Sequence, residues 1–159
     1  MEDPLISVHR VTRRFRHGGE TVHALSNVSL TVGPGTIVLI QGKSGSGKTT
    51  LLNLMGGLDT PSEGTVCFRD EDLAGKSRRD LTRWRRFSVG FIFQAFALIE
   101  GLTALENVET AARIGGLRPK EASERSIAEL RRIGLGTRLH HRIAELSGGE
   151  QQRVAVARG

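Results

Sequence analysis

The residues Gly42-Lys43-Ser44-Gly45-Ser46-Gly47-Lys48-Thr49 decide the fold. Before them runs Thr36-Ile37-Val38-Leu39-Ile40, a continuous apolar run that reads as a strand buried on both faces. After them, residues 49–58 place Leu51, Leu52, Leu54 and Met55 so as to give a helix an apolar face. A strand, a glycine-rich turn and a helix in that order suit a triphosphate. The glycines let successive backbone N–H groups turn inward as an anion nest. The helix adds its first N–H groups and the positive end of its dipole. Lys48 is expected to reach the β- and γ-phosphates, and the Thr49 hydroxyl to ligate Mg²⁺.

The rest of the first half reads as strands and turns. Residues 5–11 form a short strand, 16–20 a turn, and 28–32 a half-buried strand in which Val28, Leu30 and Val32 alternate with polar residues. Gly33-Pro34-Gly35 is a turn, 65–68 a strand, 77–86 a basic helix, and 89–93 a strand ending at Gln94. The second half is helical. Thr103-Ala104-Leu105-Glu106 is a capping box. Residues 119–133 open with a proline and carry Ile127, Leu130 and Ile133 at helical spacing. Ser147-Gly148-Gly149-Glu150 is a second capping box, opening a last helix.

Composition bounds the partners. A chain of 159 residues builds one ordinary core. The net charge of +6 is scattered, apart from Arg78, Arg79, Arg83, Arg85 and Arg86, and no nucleic-acid module accompanies it, so a solvated surface is expected and no nucleic acid. Cys67 is the only cysteine, so no intramolecular disulfide forms, as suits a reducing cytosol. The start, Met1-Glu2-Asp3-Pro4, lacks a signal-peptide pattern. The longest apolar stretch, 87–99, is too short and too polar to span a bilayer, so any membrane link is expected through a partner. His140 and His141 lack partners at metal spacing and read as surface residues.

A second motif narrows the first. Leu146-Ser147-Gly148-Gly149-Glu150-Gln151-Gln152-Arg153 resembles the signature sequence of the ABC ATPases. The resemblance covers essentially the whole chain and is nearest to the ATP-binding subunits of lipoprotein-release and macrolide-export transporters. The stretches 51–59, 90–94 and 102–108 support it. It implies an α/β fold: a P-loop NTPase (RecA-like) core, an N-terminal antiparallel β subdomain and a helical subdomain. Residues 1–94 would form the β-rich and phosphate-loop part, 95–146 the helical subdomain and 147–159 the start of the signature helix.

The resemblance also assigns roles. Gly42, Ser44, Gly45, Ser46, Gly47, Lys48, Thr49 and Thr50 would hold ATP. Ser147, Gly148 and Gly149 would contact the γ-phosphate of ATP held by a second ATP-binding subunit, arranged head to tail as a homodimer. Gln94 would contact Mg²⁺ or the attacking water, so Lys48 and Gln94 are the catalytic candidates. Phe15 would stack on adenine, with the π-face of the family's frequent Tyr but without its hydroxyl. The helical half would receive a transmembrane permease subunit, which places the chain in the cytoplasm at the inner face of the membrane.

In the family an Asp-Glu strand end and a His follow the signature, and Gly159 precedes any such residues. The expectation is therefore a partial domain with an incomplete core sheet and no general base of its own. The strand at 36–40 would lack its parallel neighbours, and the isolated chain would be unstable. Two alternatives stay open: a remnant that binds nucleotide without hydrolysis, and a soluble ABC protein with no membrane partner.

Overall fold

The computed structural model describes residues 3–159, so the expectation resting on Met1 and Glu2 lies outside the described residues. The chain divides into two compact units, Met1–Arg85 and Arg86–Gly159.

The first unit is built on a hairpin. β1 (Ile6–His17) and β2 (Glu20–Val32) pair antiparallel through the turn Gly18-Gly19. β3 (Glu63–Phe68) pairs antiparallel with the other edge of β1, and β4 (Glu71–Asp72) pairs with β3, giving the order β2-β1-β3-β4. Val8 lies opposite both Leu30 and Val66, at the middle of the sheet. β1 and β2 run well beyond the expected 5–11 and 28–32. Register shifts between Val8 and Val11, and again at Arg13 and Arg14, break the period of two that a sequence reading follows.

α1 (Lys48–Met55) follows the phosphate motif and packs Leu51 and Leu54 into a core with Val8, Val11, Leu25, Val66 and Leu73. It stops three residues short of the expected 58, because Gly56 caps it and Gly57 turns into the left-handed region. α2 (Arg78–Ser88) lays Leu81 and Trp84 against the same core, and Trp84 meets Phe68 edge-on with centroids 5.3 Å apart.

The second unit is helical. α3 (Ala104–Ile114), α4 (Pro119–Arg132) and α5 (Gly148–Arg158) enclose Ala104, Leu105, Val108, Leu130, Leu135, Ile143, Leu146 and Val154. The Thr103 capping box forms as expected: Thr103 Oγ1 accepts from the Glu106 amide, and Glu106 accepts from the Thr103 amide at 2.8 Å. Asn107 is buried but satisfied: it bonds the amide and carbonyl of Ile99 and the carbonyl of Thr103. That pins the loop ahead of α3 to the helix itself.

Two expected strands do not form. Residues 36–40 and 89–93 join no ladder among the described residues. Ile37 is 99% exposed and Leu39 77%. An apolar run marks a segment as fit to be buried, but a strand exists only where a neighbour supplies the other half of each hydrogen bond.

Candidate phosphate site and signature helix

The phosphate motif forms a loop whose shape depends on small residues. Gly47, the N-cap of α1, has φ +88°. A Cβ there would lie 2.3 Å from the Ala24 carbonyl oxygen and 2.7 Å from Leu25 Cδ2, so β2 presses directly on the start of the helix. A Cβ on Gly42 would lie 2.6 Å from Ser46 Oγ. The start of the loop therefore lies close against the Ser46 side chain, with no room for a side chain at Gly42 unless that hydroxyl turns away. The Ser46 amide donates to the Lys43 carbonyl at 3.2 Å, completing the curl.

The helix behind the loop offers its first turn outward. No side chain caps α1, and no acid stands in its first turn, whereas Thr103 caps α3 and Ser147 caps α5. The orphan N–H groups at Lys48, Thr49 and Thr50 are thus free of side-chain acceptors. Lys48 Nζ folds over the loop, donating to the carbonyls of Gly42 at 2.9 Å and Lys43 at 2.7 Å. Ammonium and uncapped amides on one small loop suit a polyphosphate. Thr49 is exposed on the first turn, and its hydroxyl is a hard oxygen donor of the kind Mg²⁺ takes alongside phosphate oxygens and water. Ser44 and Gly45 lie at the exposed crest, and no atom lies within 4 Å of a Cβ built on Gly45.

Phe15 lies on β1 opposite Val22 and is 40% exposed. Arg13, which the sequence reading passed over, holds its guanidinium above the ring.

The second unit carries the signature and Gln94. Ser147 caps α5: its hydroxyl accepts from the Glu150 amide at 3.3 Å, while Glu150 accepts from the Ser147 amide at 2.8 Å. Gly148 and Gly149 follow as exposed residues, and no atom lies within 3.9 Å of a Cβ built on either. Gln151, unassigned from sequence, donates to the carbonyls of Ile143 and Leu146, both at 3.0 Å, and so fixes the turn that delivers the signature. Gln94 is exposed in a turn closed by the Phe96 amide on the Phe93 carbonyl at 3.0 Å. Arg158, also unassigned, donates to the carbonyls of Phe96 and Ala97 just beyond it.

The acids near the signature are committed to these caps. The Ser147 amide and hydroxyl, with Arg138 nearby, hold the Glu150 carboxyl below its ordinary range. Glu145 accepts from the Arg142 amide at 2.6 Å. His141 lies 3.0 Å from an Arg138 nitrogen, as suits a surface residue in a polar cluster.

Comparison with known proteins matches this arrangement. The macrolide export ATP-binding/permease protein MacB of Azoarcus sp. (strain BH72) is 48% identical over 155 residues, 98% of this chain and 24% of that protein. The lipoprotein-releasing system ATP-binding protein LolD of Pseudomonas syringae pv. tomato is 48% identical over 156 residues, 97% of this chain and 68% of that protein. The chain thus spans about a quarter of the length of the first curated relatives it matches. Among solved structures, the dimeric ATP-binding cassette MJ0796, in a post-hydrolysis state with ADP and Pi, superposes with a TM-score of 0.90 at 40% identity. That superposition covers 96% of this chain and 68% of that one. The ABC transporter family model matches residues 25–159, so the loop at Lys48 and the capped glycines at Ser147 sit in a domain that belongs to the ABC transporter family, whose members hydrolyse ATP.

Proposed function

We propose that the chain binds MgATP on the loop Gly42–Thr49, with Ser44, Gly45, Ser46, Gly47 and Thr50 around the phosphates and Phe15 stacked on the base. The observation that carries this reading is the first turn of α1, uncapped by any side chain, with Lys48 Nζ folded over the loop that leads into it. Lys48 would leave the loop carbonyls for phosphate oxygens, a stronger charge-assisted partner. Thr49 would supply an oxygen ligand to Mg²⁺, which when bound would neutralise phosphate charge, and the Gln94 amide, by the family resemblance, would contact that ion or the attacking water.

Ser147, Gly148 and Gly149 are assigned to the γ-phosphate of a second copy's ATP, in a head-to-tail dimer. Gly148 and Gly149 present amides without side-chain obstruction, and the Ser147 hydroxyl would exchange its bond to Glu150 for a phosphate oxygen. Binding and hydrolysis in that dimer would drive a membrane permease, which places the chain at the inner face of the membrane. Among the described residues no helix is long and apolar enough to cross it.

A second reading, nucleotide binding without turnover by this chain alone, is favoured by the acids beside the signature. Glu145 and Glu150 are tied into caps and serve poorly as general bases. Equilibrium binding and phosphate release by the purified chain separate the readings. MgATP binding abolished by Lys48→Ala is expected, and unchanged binding would remove the loop from the site. Phosphate release that Lys48→Ala also abolishes would overturn the second reading.

A further inference from the structure

Phe15 carries a clamped cation on one face of its ring. The Arg13 guanidinium carbon lies 4.5 Å from the centroid of the Phe15 ring. That guanidinium is itself fixed: Nε donates to Asp59 Oδ2 at 2.8 Å and Nη2 to Asp59 Oδ1 at 2.7 Å, a bidentate fork. The two side chains are 23% and 26% exposed, so the pair is partly screened from water. Asp59 is anchored in turn. Its Oδ1 also accepts from the Thr60 amide at 2.8 Å, and its own amide donates to the carbonyl of Asn53 at 3.3 Å. Asn53 belongs to α1, the helix that opens with Lys48 and Thr49. One continuous set of contacts therefore runs from the aromatic ring, through Arg13 and Asp59, to the helix behind the phosphate loop.

We propose that Arg13 is a positioning residue for the nucleotide base. Clamped by Asp59, it occupies one face of Phe15, leaves the other face for the base, and fixes the ring relative to the helix that holds the phosphates. The physical gain is preorganisation. A half-exposed Phe on a strand samples several rotamers, and binding a base would have to freeze them. A cation already seated on one face has restricted the ring before the nucleotide arrives. The proposal rests on the stacking role assigned to Phe15 above and adds the residue that sets it.

The test compares MgATP with magnesium tripolyphosphate, which keeps the phosphates and lacks the base. Both are titrated calorimetrically into the full chain and its Arg13→Met, Arg13→Lys, Phe15→Ala and Arg13→Met/Phe15→Ala variants. Arg13→Met is expected to weaken MgATP about three- to tenfold and to leave tripolyphosphate unchanged. Arg13→Lys, which keeps a cation for the ring, is expected to recover part of that loss. In the Phe15→Ala background Arg13→Met is expected to change nothing further.

Equal weakening of both ligands, or the same loss with and without Phe15, would mean that Arg13 only supports the fold and would overturn the proposal. If Phe15→Ala weakens MgATP while Arg13→Met does not, the proposal fails and the stacking role survives. If Phe15→Ala leaves MgATP binding intact, the stacking role itself fails, and the proposal with it.

Discussion

Arg158, at the end of α5, donates from Nη2 to the carbonyl oxygen of Phe96 at 2.9 Å, and its Nη1 donates to Ala97. Phe96 and Ala97 are non-glycine residues in the left-handed region, with φ of 58° and 51°. Such residues cost roughly 1–3 kcal/mol each and persist only where the surroundings enforce them. Arg158 braces both carbonyls beside the turn's own backbone bond, and it ties the turn that carries Gln94 to the helix that the signature opens. Removing it should release the turn. In Arg158→Ala, amide exchange over residues 94–98 is expected to quicken about tenfold, and stability to fall by about 1–3 kcal/mol. Exchange in the middle of α4 should not change. Mass-resolved hydrogen exchange reads both regions in one experiment, and equal exchange at 94–98 in the two proteins would show that the turn holds itself.

Gly47 and Gly45 make a paired test of the phosphate loop. Both have positive φ, +88° and +77°, but only Gly47 has a neighbour in the way, the Ala24 carbonyl at 2.3 Å from a built Cβ. Gly47→Ala adds a collision with β2 to the left-handed strain and is expected to cost roughly 2–4 kcal/mol. Gly45→Ala carries the left-handed strain alone, about 1–2 kcal/mol. Urea denaturation of the two variants measures the difference. Equal losses would mean that β2 does not brace the loop.

The caps of α3 and α5 give the stability a defined response to acid. The Glu106 carboxyl is held below its ordinary range by the Thr103 amide and hydroxyl, and Glu150 by those of Ser147. A carboxyl depressed in the folded state contributes stability above its unfolded pKa and loses it as pH falls through its folded value. The contribution is therefore complete at neutral pH and disappears below the usual carboxylate range. The gap in denaturation midpoint between the parent and Glu150→Gln is expected at about pH 7 and should be smaller at about pH 3. A gap of the same size at both pH values would detach the cap from the charge.

The sequence carried more of the site than of the sheet. Each cap was legible because its chemistry is local: Thr103 and Glu106, or Ser147 and Glu150, need only each other and a helix start. The turn at Gly45–Gly47 and the helix start at Lys48 were legible for the same reason. Arg13, Asp59 and Arg158 were not, since their partners stand 46 and 61–62 residues away and no local pattern announces them. The strands at the ends of the hairpin were misjudged because bulges shift the alternation that marks a strand.

Within the run Ile37-Val38-Leu39-Ile40 the sequence shows no difference between neighbours, while the structure does. Ile37 and Leu39 are 99% and 77% exposed, whereas Ile40 packs against the core of the first unit. The run is uncharged, rich in β-branched residues and unpaired among the described residues, the combination that templates strand addition by another chain. A charge at the exposed positions should block that association at little structural cost. Leu39→Lys is expected to lower the concentration-dependent light scattering of the chain and to move folding stability by no more than about 0.5 kcal/mol. Ile40→Lys puts an ammonium at a half-buried position packed against the core of the first unit, and should destabilise by several times that amount. Scattering and urea midpoints on the two variants decide the matter. Two equally unstable variants would mean that the whole run is buried in solution, and two equally tolerant ones that Ile40 contributes nothing to the core.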